Sequence, residues 1–379
     1  MTFPARAAVA ANLVLAAALL PQTSLAAEPQ AIADSLVAAL EAGTKGQVSF
    51  GEASAEGDDV VISGLAFSDE DGETTVTFDR TVVVAPEERS EGGFEAEEIE
   101  LTAGTISGQS TGSVESATIT DVTVLSPEET AARQLSQGIV YSTAEAAGIR
   151  LTPPEQTGEI GIETIFIEVG DIVDDVPQAS SGYVEGISVP GAMFGEGPMT
   201  PQALGYDDLQ FEIRWEGGRD PATDELTVED FTLTMLDGGS LTLTGKVGNL
   251  PFARIEDPTA SADAASQVTI HNVTLEYVDE SLTRRILDTM AQAQGMTGEQ
   301  YGQQLAAALP FMLAAINNPA FQQQLAGALG AFLQDPQSLT IEIAPESPVT
   351  GAEIMQIVST APQTLPDRLN ANVSANGAP

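Results

Sequence analysis

An eight-residue phrase recurs along the chain, with large apolar residues at its third, sixth and eighth places and usually at its first. It reads VVISGLAF at residues 60–67, ATITDVTV at 117–124, IGIETIFI at 160–167, GYVEGISV at 182–189, LTVEDFTL at 226–233 and VTIHNVTL at 268–275. Strict alternation keeps one face of a strand apolar, but the step from place three to place six is odd. A flat strand would therefore turn half of these residues to solvent. A β-bulge near the fifth place restores a single apolar face, and that place holds Gly64, Asp121, Thr164, Gly186, Asp230 and Asn272, mostly residues that tolerate unusual backbone angles. The rival reading is a tight turn between two very short strands.

The third-place residues Ile62, Ile119, Ile162, Val184, Val228 and Ile270 are 57, 43, 22, 44 and 42 positions apart. A pair of antiparallel strands with its turns takes up about 22 residues. The phrase is therefore expected to mark strands running in one direction within an antiparallel meander. Turn-rich segments at 68–72, 217–221 and 237–239 fit hairpin connections. Leu209, Phe211, Ile213 and Trp215 alternate with Gln210, Glu212, Arg214 and Glu216, a half-buried strand.

Helical periodicity is confined to a few places. Ile32, Leu36, Val37 and Leu40 share one face of a short helix that stops near Gly43. Ser126-Pro127-Glu128-Glu129 spells a capping box, and the helix it starts is expected to run to Arg150. Residues 281–334 read as two or three helices, ended by Gly295, restarted by Thr297 with Gln300 and interrupted at Asn318-Pro319. A strand at 338–343 and a short helix after Thr350 with Glu353 follow. The predicted class is α+β: mainly an antiparallel β meander of bulged strands, a connecting helix in the middle and a C-terminal apolar helical hairpin. The expected organisation is a signal peptide at 1–26, an N-terminal helix at 27–45, an acidic β region at 46–126 and the connecting helix at 127–150. A second β region at 151–280, the helical segment at 281–336 and a C-terminal strand, short helix and tail at 337–379 complete it.

Residues 1–26 carry Arg6, an apolar stretch from Ala7 to Leu20 and small residues before a cleavage point after Ala26, the pattern of an export signal. That predicts a periplasmic or secreted protein, with no transmembrane segment once the signal is removed. There is no cysteine, so disulfides, thiolate chemistry and Cys-ligated metals are excluded. Of 379 residues, 56 are acidic and 13 basic, a net charge of −43. A polyanion cannot gain from counterion release on phosphates, which excludes nucleic-acid binding. With 42% apolar residues the chain has material for a core, and its length suggests about two domains.

The phrases, with the segment LTVEDFTL at 226–233 followed by DGGSLTLTG at 237–245, and the plan of signal, acidic bulged strands and terminal helices, resemble β-rich periplasmic proteins of the AsmA-like kind. They also resemble uncharacterised exported proteins of alphaproteobacteria. The resemblance spans residues 47–280. It implies lipid handling and envelope biogenesis through a long apolar groove. It carries over no functional residue, and the short chain without an evident anchor departs from a bridge between membranes.

Catalytic motifs fail on context. Gly108-Gln109-Ser110-Thr111-Gly112 spells a nucleophile elbow, but polar, strand-like residues follow where a helix is needed. The single histidine, His271, occupies the generic polar fourth place of the phrase, which disfavours both a serine triad and a zinc site. Gly245-Lys246 lacks the remaining P-loop residues. No cofactor is expected. Asp69, Glu70, Asp71 and Glu73, or Asp171 with Asp174 and Asp175, could offer oxygen ligands to calcium but lack EF-hand spacing.

Residues 281–334 differ: their charged residues are Arg284, Arg285, Asp288 and Glu299, which cancel. The expected function is non-enzymatic binding of an apolar ligand such as a lipid, or of an envelope partner, through this segment. The candidate contacts are Leu305, Leu309, Phe311, Met312, Phe321, Leu325 and Phe332. Arg284 and Arg285 would hold an acidic headgroup, although Glu280 stands one helical turn before Arg284. The alternatives are a calcium-dependent structural or adhesion module and a carboxylate-based hydrolase.

Overall fold

A computed structural model describes residues 28–43, 46–69, 71–133, 138–154, 156, 158–170, 173, 178–249 and 265–377. The segment at 1–26 read as an export signal, Glu70, and the acidic trio Asp171, Asp174 and Asp175 lie outside the described residues.

Helix α1 (Pro29–Gly43) precedes β1 (Val48–Ser49), β2 (Ala53–Glu56), β3 (Asp59–Ser68), β4 (Thr74–Val84), β5 (Glu87–Glu88), β6 (Phe94–Gly108) and β7 (Thr111–Val124). Then come α2 (Pro127–Arg133), β8 (Ile139–Val140), β9 (Thr143–Thr152), β10 (Ile160–Gly170), β11 (Ala179–Pro190), β12 (Asp208–Asp220), β13 (Glu225–Met235), β14 (Gly239–Gly248) and β15 (Thr269–Asp279). The chain closes with α3 (Leu282–Gln292), α4 (Gly298–Met312), α5 (Pro319–Gln334), β16 (Ser338–Ile343), β17 (Val349–Thr350), α6 (Gly351–Thr360), α7 (Leu365–Arg368) and β18 (Ala371–Ala375).

All these strands belong to one antiparallel sheet, so the two β regions of the sequence are continuous through the pairing of β7 with β9. The long strands pair in the order β3, β4, β6, β7, β9, β10, β11, β12, β13, β14, β15, β16, β18. Directly opposed residues share a face, and the register draws one apolar row across the whole sheet: Val60, Val83, Ile99, Ile119, Ala144, Ile167, Gly182, Trp215, Phe231, Leu243, Leu275, Ile341, Val373. A parallel row runs Ile62, Thr81, Leu101, Ala117, Ala146, Ile165, Val184, Ile213, Leu233, Leu241, Tyr277, Leu339, Ala375. The opposite face is mainly polar, with apolar pairs such as the stacked Phe166 and Tyr183 at 5.3 Å, and it is laced by cross-strand hydroxyl bonds, Ser68 to Thr75 at 2.9 Å, Thr120 to Thr143 at 2.6 Å and Thr232 to Thr242 at 2.9 Å.

The odd step of the phrase is absorbed inside continuous strands, which removes the tight-turn reading. Gly64, Asp121 and Gly186 adopt φ of 62°, 51° and 64°, and the register shifts between Val184 and Ile187, Val228 and Phe231, and Lys246 and Val247. As a result Ile62 and Leu65, three positions apart, are both fully buried. The kinks are also aligned. Gly64 of β3, Ala103 of β6, Gly148 of β9 and Gly186 of β11 all have positive φ and fall in one line on alternate strands. Asp79, Glu115 and Glu163 stand at the facing positions of β4, β7 and β10. Thr164 therefore needs no unusual angle, because both neighbours of its strand bend instead.

Two expectations are corrected. The connecting helix stops at Arg133 rather than Arg150, and residues 143–152 form β9, because Ala144 and Ala146 alternate inward to pair with Ile119 and Ala117. Ser126 Oγ accepts from Glu129 N at 3.3 Å, but the Glu129 carboxylate pairs with Arg89 at 2.9 Å and Arg133 at 2.5 Å, so half of the capping box is made. The phrase does not mark one direction: β7 and β10 run opposite to β3, β11, β13 and β15, as their places in the pairing order require.

Candidate functional site: an apolar face left open

The apolar face is closed at its N-terminal end. Ile32, Ala33, Leu36 and Ala39 of α1 pack on Val60, Ile62, Leu65, Val83, Phe94 and Ile99, forming the main core. Helix α1 presents this face by its three- and four-residue spacing. At the far edge α5 lies along β18, where Val373 and Ala375 are buried, and Phe332 meets Tyr277 edge-on at 5.9 Å.

Between these ends the face has no cover among the described residues. From β9 to β11 no described apolar side chain is buried, and Phe231, Leu241 and Ile341 are 42%, 38% and 37% exposed. Neither apolar row carries a charged side chain from β9 to β15. With strands spaced about 4.8 Å apart, these seven strands span about 29 Å. Trp215, the one tryptophan, lies on this floor. Its Nε1 donates to Ser180 Oγ at 3.2 Å, and its ring covers Gly182, where a Cβ would stand 2.4 Å from Cζ2. Gly182 is thus the space in which the indole lies flat. At one end of β10–β13 an open polar hollow of ≈ 550 Å³ is lined by Glu168, Ser181, Arg219, Asp220 and Glu229 among others.

The helical segment has its own small core of Leu287, Ala291 and Tyr301, with Met296, Leu305 and Leu333 packed around it. Gly295 ends α3 in the left-handed region, Thr297 and Gln300 form the complete capping box of α4, and Asn318 caps α5 through Phe321 N at 3.1 Å. The predicted contacts divide. Leu309 and Phe332 are buried, Leu305, Phe321 and Leu325 half-buried, and Phe311 and Met312 project into solvent. An open hollow along α4 and α5 is lined by Ala306, Ala307, Gly327 and Gly330 with their neighbours, and by none of the predicted residues.

The two arginines part company. Arg285 donates through Nε to Ser281 Oγ at 2.9 Å and through Nη1 to the carbonyls of Leu204 and Gly205 at 3.1 and 3.2 Å, and it covers the ring of Tyr206 at 4.4 Å. It fastens α3 to the loop before β12. Arg284 is exposed and makes no ion pair among the described residues, Glu280 included. His271 sits at the bulge of β15 with Nε2 3.4 Å from Glu225, whose carboxylate also meets Lys246 at 2.5 Å. The Lys246 ammonium, with Thr223, holds the Glu225 carboxyl below the usual range. Among the described residues no group of three or more His, Cys, Asp or Glu is gathered as metal ligands would be.

Sequence reasoning missed the open face because it tracked which strands are apolar and not what covers them. The signal was present: no amphipathic helix is legible between Thr152 and Asp279 to lie over the strands there.

A family model described as an uncharacterized protein matches residues 232–376, from within β13 to the end of β18. No curated protein matches the chain. Among the described residues no helix is long and apolar enough to cross a membrane.

Proposed function

We propose that the protein is a non-enzymatic, exported carrier or scaffold that takes lipid hydrocarbon chains onto the open face of its sheet between β9 and β15. The observation that carries this reading is the double apolar row, free of charge across seven strands and left, among the described residues, without a packed helix from β9 to β14, in a chain of net charge −43. Solvated proteins rarely leave such a surface bare without a ligand for it. The hydrocarbon core of a bilayer is about 30 Å thick, so one acyl chain occupies about 15 Å, and the open face from β9 to β14, about 24 Å, accommodates chains lying across the strands. A face whose rows carry no charge, and whose Trp215 and Tyr277 polar atoms already bond to Ser180 and Asp279, selects for apolar bulk and not for a headgroup. The apolar hairpin of α4 and α5 then serves as the end wall of the groove rather than its floor. The resemblance to AsmA-like proteins and the leader-like N-terminus point to the same compartment and cargo class.

Trp215 provides the test. Titration with 9,10-dibromostearate should quench its emission saturably, since bromine quenches on contact. Phe231→Glu with Leu241→Glu should abolish the quenching while shifting stability little, because both residues are already exposed. Absence of saturable quenching in the unmodified protein sinks the proposal.

A further inference from the structure

Phe311 and Met312 end α4 side by side and are 85% and 66% exposed, while Pro310, Ala314 and Ala315 around them are also exposed. No charged residue occurs from 300 to 334. We propose that this α4–α5 turn is a bilayer contact, which inserts Phe311 and Met312 into the interfacial layer of a membrane where the apolar face is loaded or emptied. The inference rests on the lipid-carrying reading for its purpose.

Three features select a bilayer over other occupants. The first is charge: in a chain of −43 this turn is a neutral tip, able to enter a low-dielectric layer without moving a charge out of water. The second is hydrogen bonding. A helix C-terminus normally leaves carbonyls unsatisfied, but Gln322 Nε2 donates to the carbonyls of Leu313 and Ala314 at 2.8 and 3.1 Å. Asn318 meanwhile accepts from Phe321 N and donates to the Gln363 carbonyl at 3.0 Å and Asp367 at 3.1 Å. Two carbonyls of the turn are therefore satisfied from within, and the turn is held to the body of the protein before any contact forms. The third is size. Two exposed side chains offer on the order of 300 Å², against roughly 800 Å² per partner in a stable protein interface. That is too little to hold a second copy or another protein, but enough for shallow interfacial insertion, where aromatic rings are favoured.

The test is flotation of the protein, purified as its host makes it, with phosphatidylcholine vesicles. The unmodified protein should float, and Phe311→Ser with Met312→Ser should lower the bound fraction by about tenfold or more with an unchanged circular dichroism melt. In a Trp215→Phe background, Phe311→Trp should blue-shift on vesicle addition and be quenched by lipids brominated near the headgroup end of the chain. Failure of the unmodified protein to float overturns the proposal, as does equal flotation of the double variant. A concentration-dependent dimer abolished by the same substitutions, without flotation, overturns it in favour of self-association. Quenching of Trp215 by dibromostearate is read in solution without vesicles, so its persistence alongside failed flotation removes the bilayer contact alone.

Discussion

Replacing Gly186 by alanine tests whether the aligned kinks are what hold the apolar phrase on one face. Gly186 has φ of +64°, and a Cβ there would lie 2.3 Å from Glu163 Cγ and 2.6 Å from Glu163 Cβ on the neighbouring strand. Two costs follow. A left-handed conformation costs a residue with a Cβ about 1–2 kcal/mol, and forcing atoms into a filled space costs about 1–3 kcal/mol. Gly57→Ala isolates the first, because Gly57 has φ of +73° with nothing within 4 Å of the added carbon. The expected loss is therefore about 2–5 kcal/mol for Gly186→Ala and about 1–2 kcal/mol for Gly57→Ala. The steric part should be recovered in a double-mutant cycle with Glu163→Gly, which deletes all three clashing atoms, Cβ, Cγ and Cδ, as a coupling of about 1–3 kcal/mol. Urea unfolding followed by Trp215 emission reads all four proteins, since Trp215 stands on β12 beside the kinked β11. If Gly186→Ala and Gly57→Ala agree within about 0.5 kcal/mol, or the cycle shows no coupling, the kink is not sterically specified and the reasoning is refuted.

Other outcomes follow from the same geometry. Leu36→Ala, at the centre of the α1 core, should cost about 2–5 kcal/mol, measured by urea denaturation. The Arg89 guanidinium beside Glu129 holds that carboxyl below its ordinary value, so its contribution is present above the unfolded carboxylate range and is lost as pH falls through the lowered folded pKa. Glu129→Gln should therefore cost about 1.5–3 kcal/mol at neutral pH and much less in acid, read from unfolding curves at both pH values. Asn318→Ala removes a buried cap and should cost about 1–2 kcal/mol, with fraying of α5 visible by amide exchange at Phe321. Burial and the bond to Asp279 push the Tyr277 phenol well up, so it should stay protonated through the range in which an ordinary phenol ionises, and Tyr277→Phe should leave that part of an absorbance titration unchanged.

What could be read from the sequence was local. The eight-residue phrase reported strands, and its odd step reported a kink at Gly64 and Gly186, because a single residue type and a single parity are involved. Gly295, Thr297 with Gln300, and Asn318-Pro319 marked helix boundaries correctly, because capping is settled within one turn of chain. Arg150 was misread as a helix end because Ala144, Ala146 and Ala147 have strong helical propensity, which pairing with β7 and β10 overrides. The direction of β7 and β10 escaped because spacing cannot say how many short strands intervene. The open face escaped because exposure is a property of what lies above a strand, and Trp215, Phe231 and Leu241 look the same in sequence whether a helix covers them or not.

The unbroken antiparallel pairing from β9 to β15 also bears on how the protein can change in length. Each strand bonds the one before it and the one after, and each crossing carries the two apolar rows forward unchanged. Removing or duplicating a whole strand pair, such as β11 with β12 together with its loops, would leave parity, direction and facing intact at both joins, as in other one-dimensional assemblies. The capped ends need not be redesigned when the middle grows or shrinks. The reach of the apolar surface is then set by counting hairpins, and a sequence of this build can be lengthened without inventing a new fold.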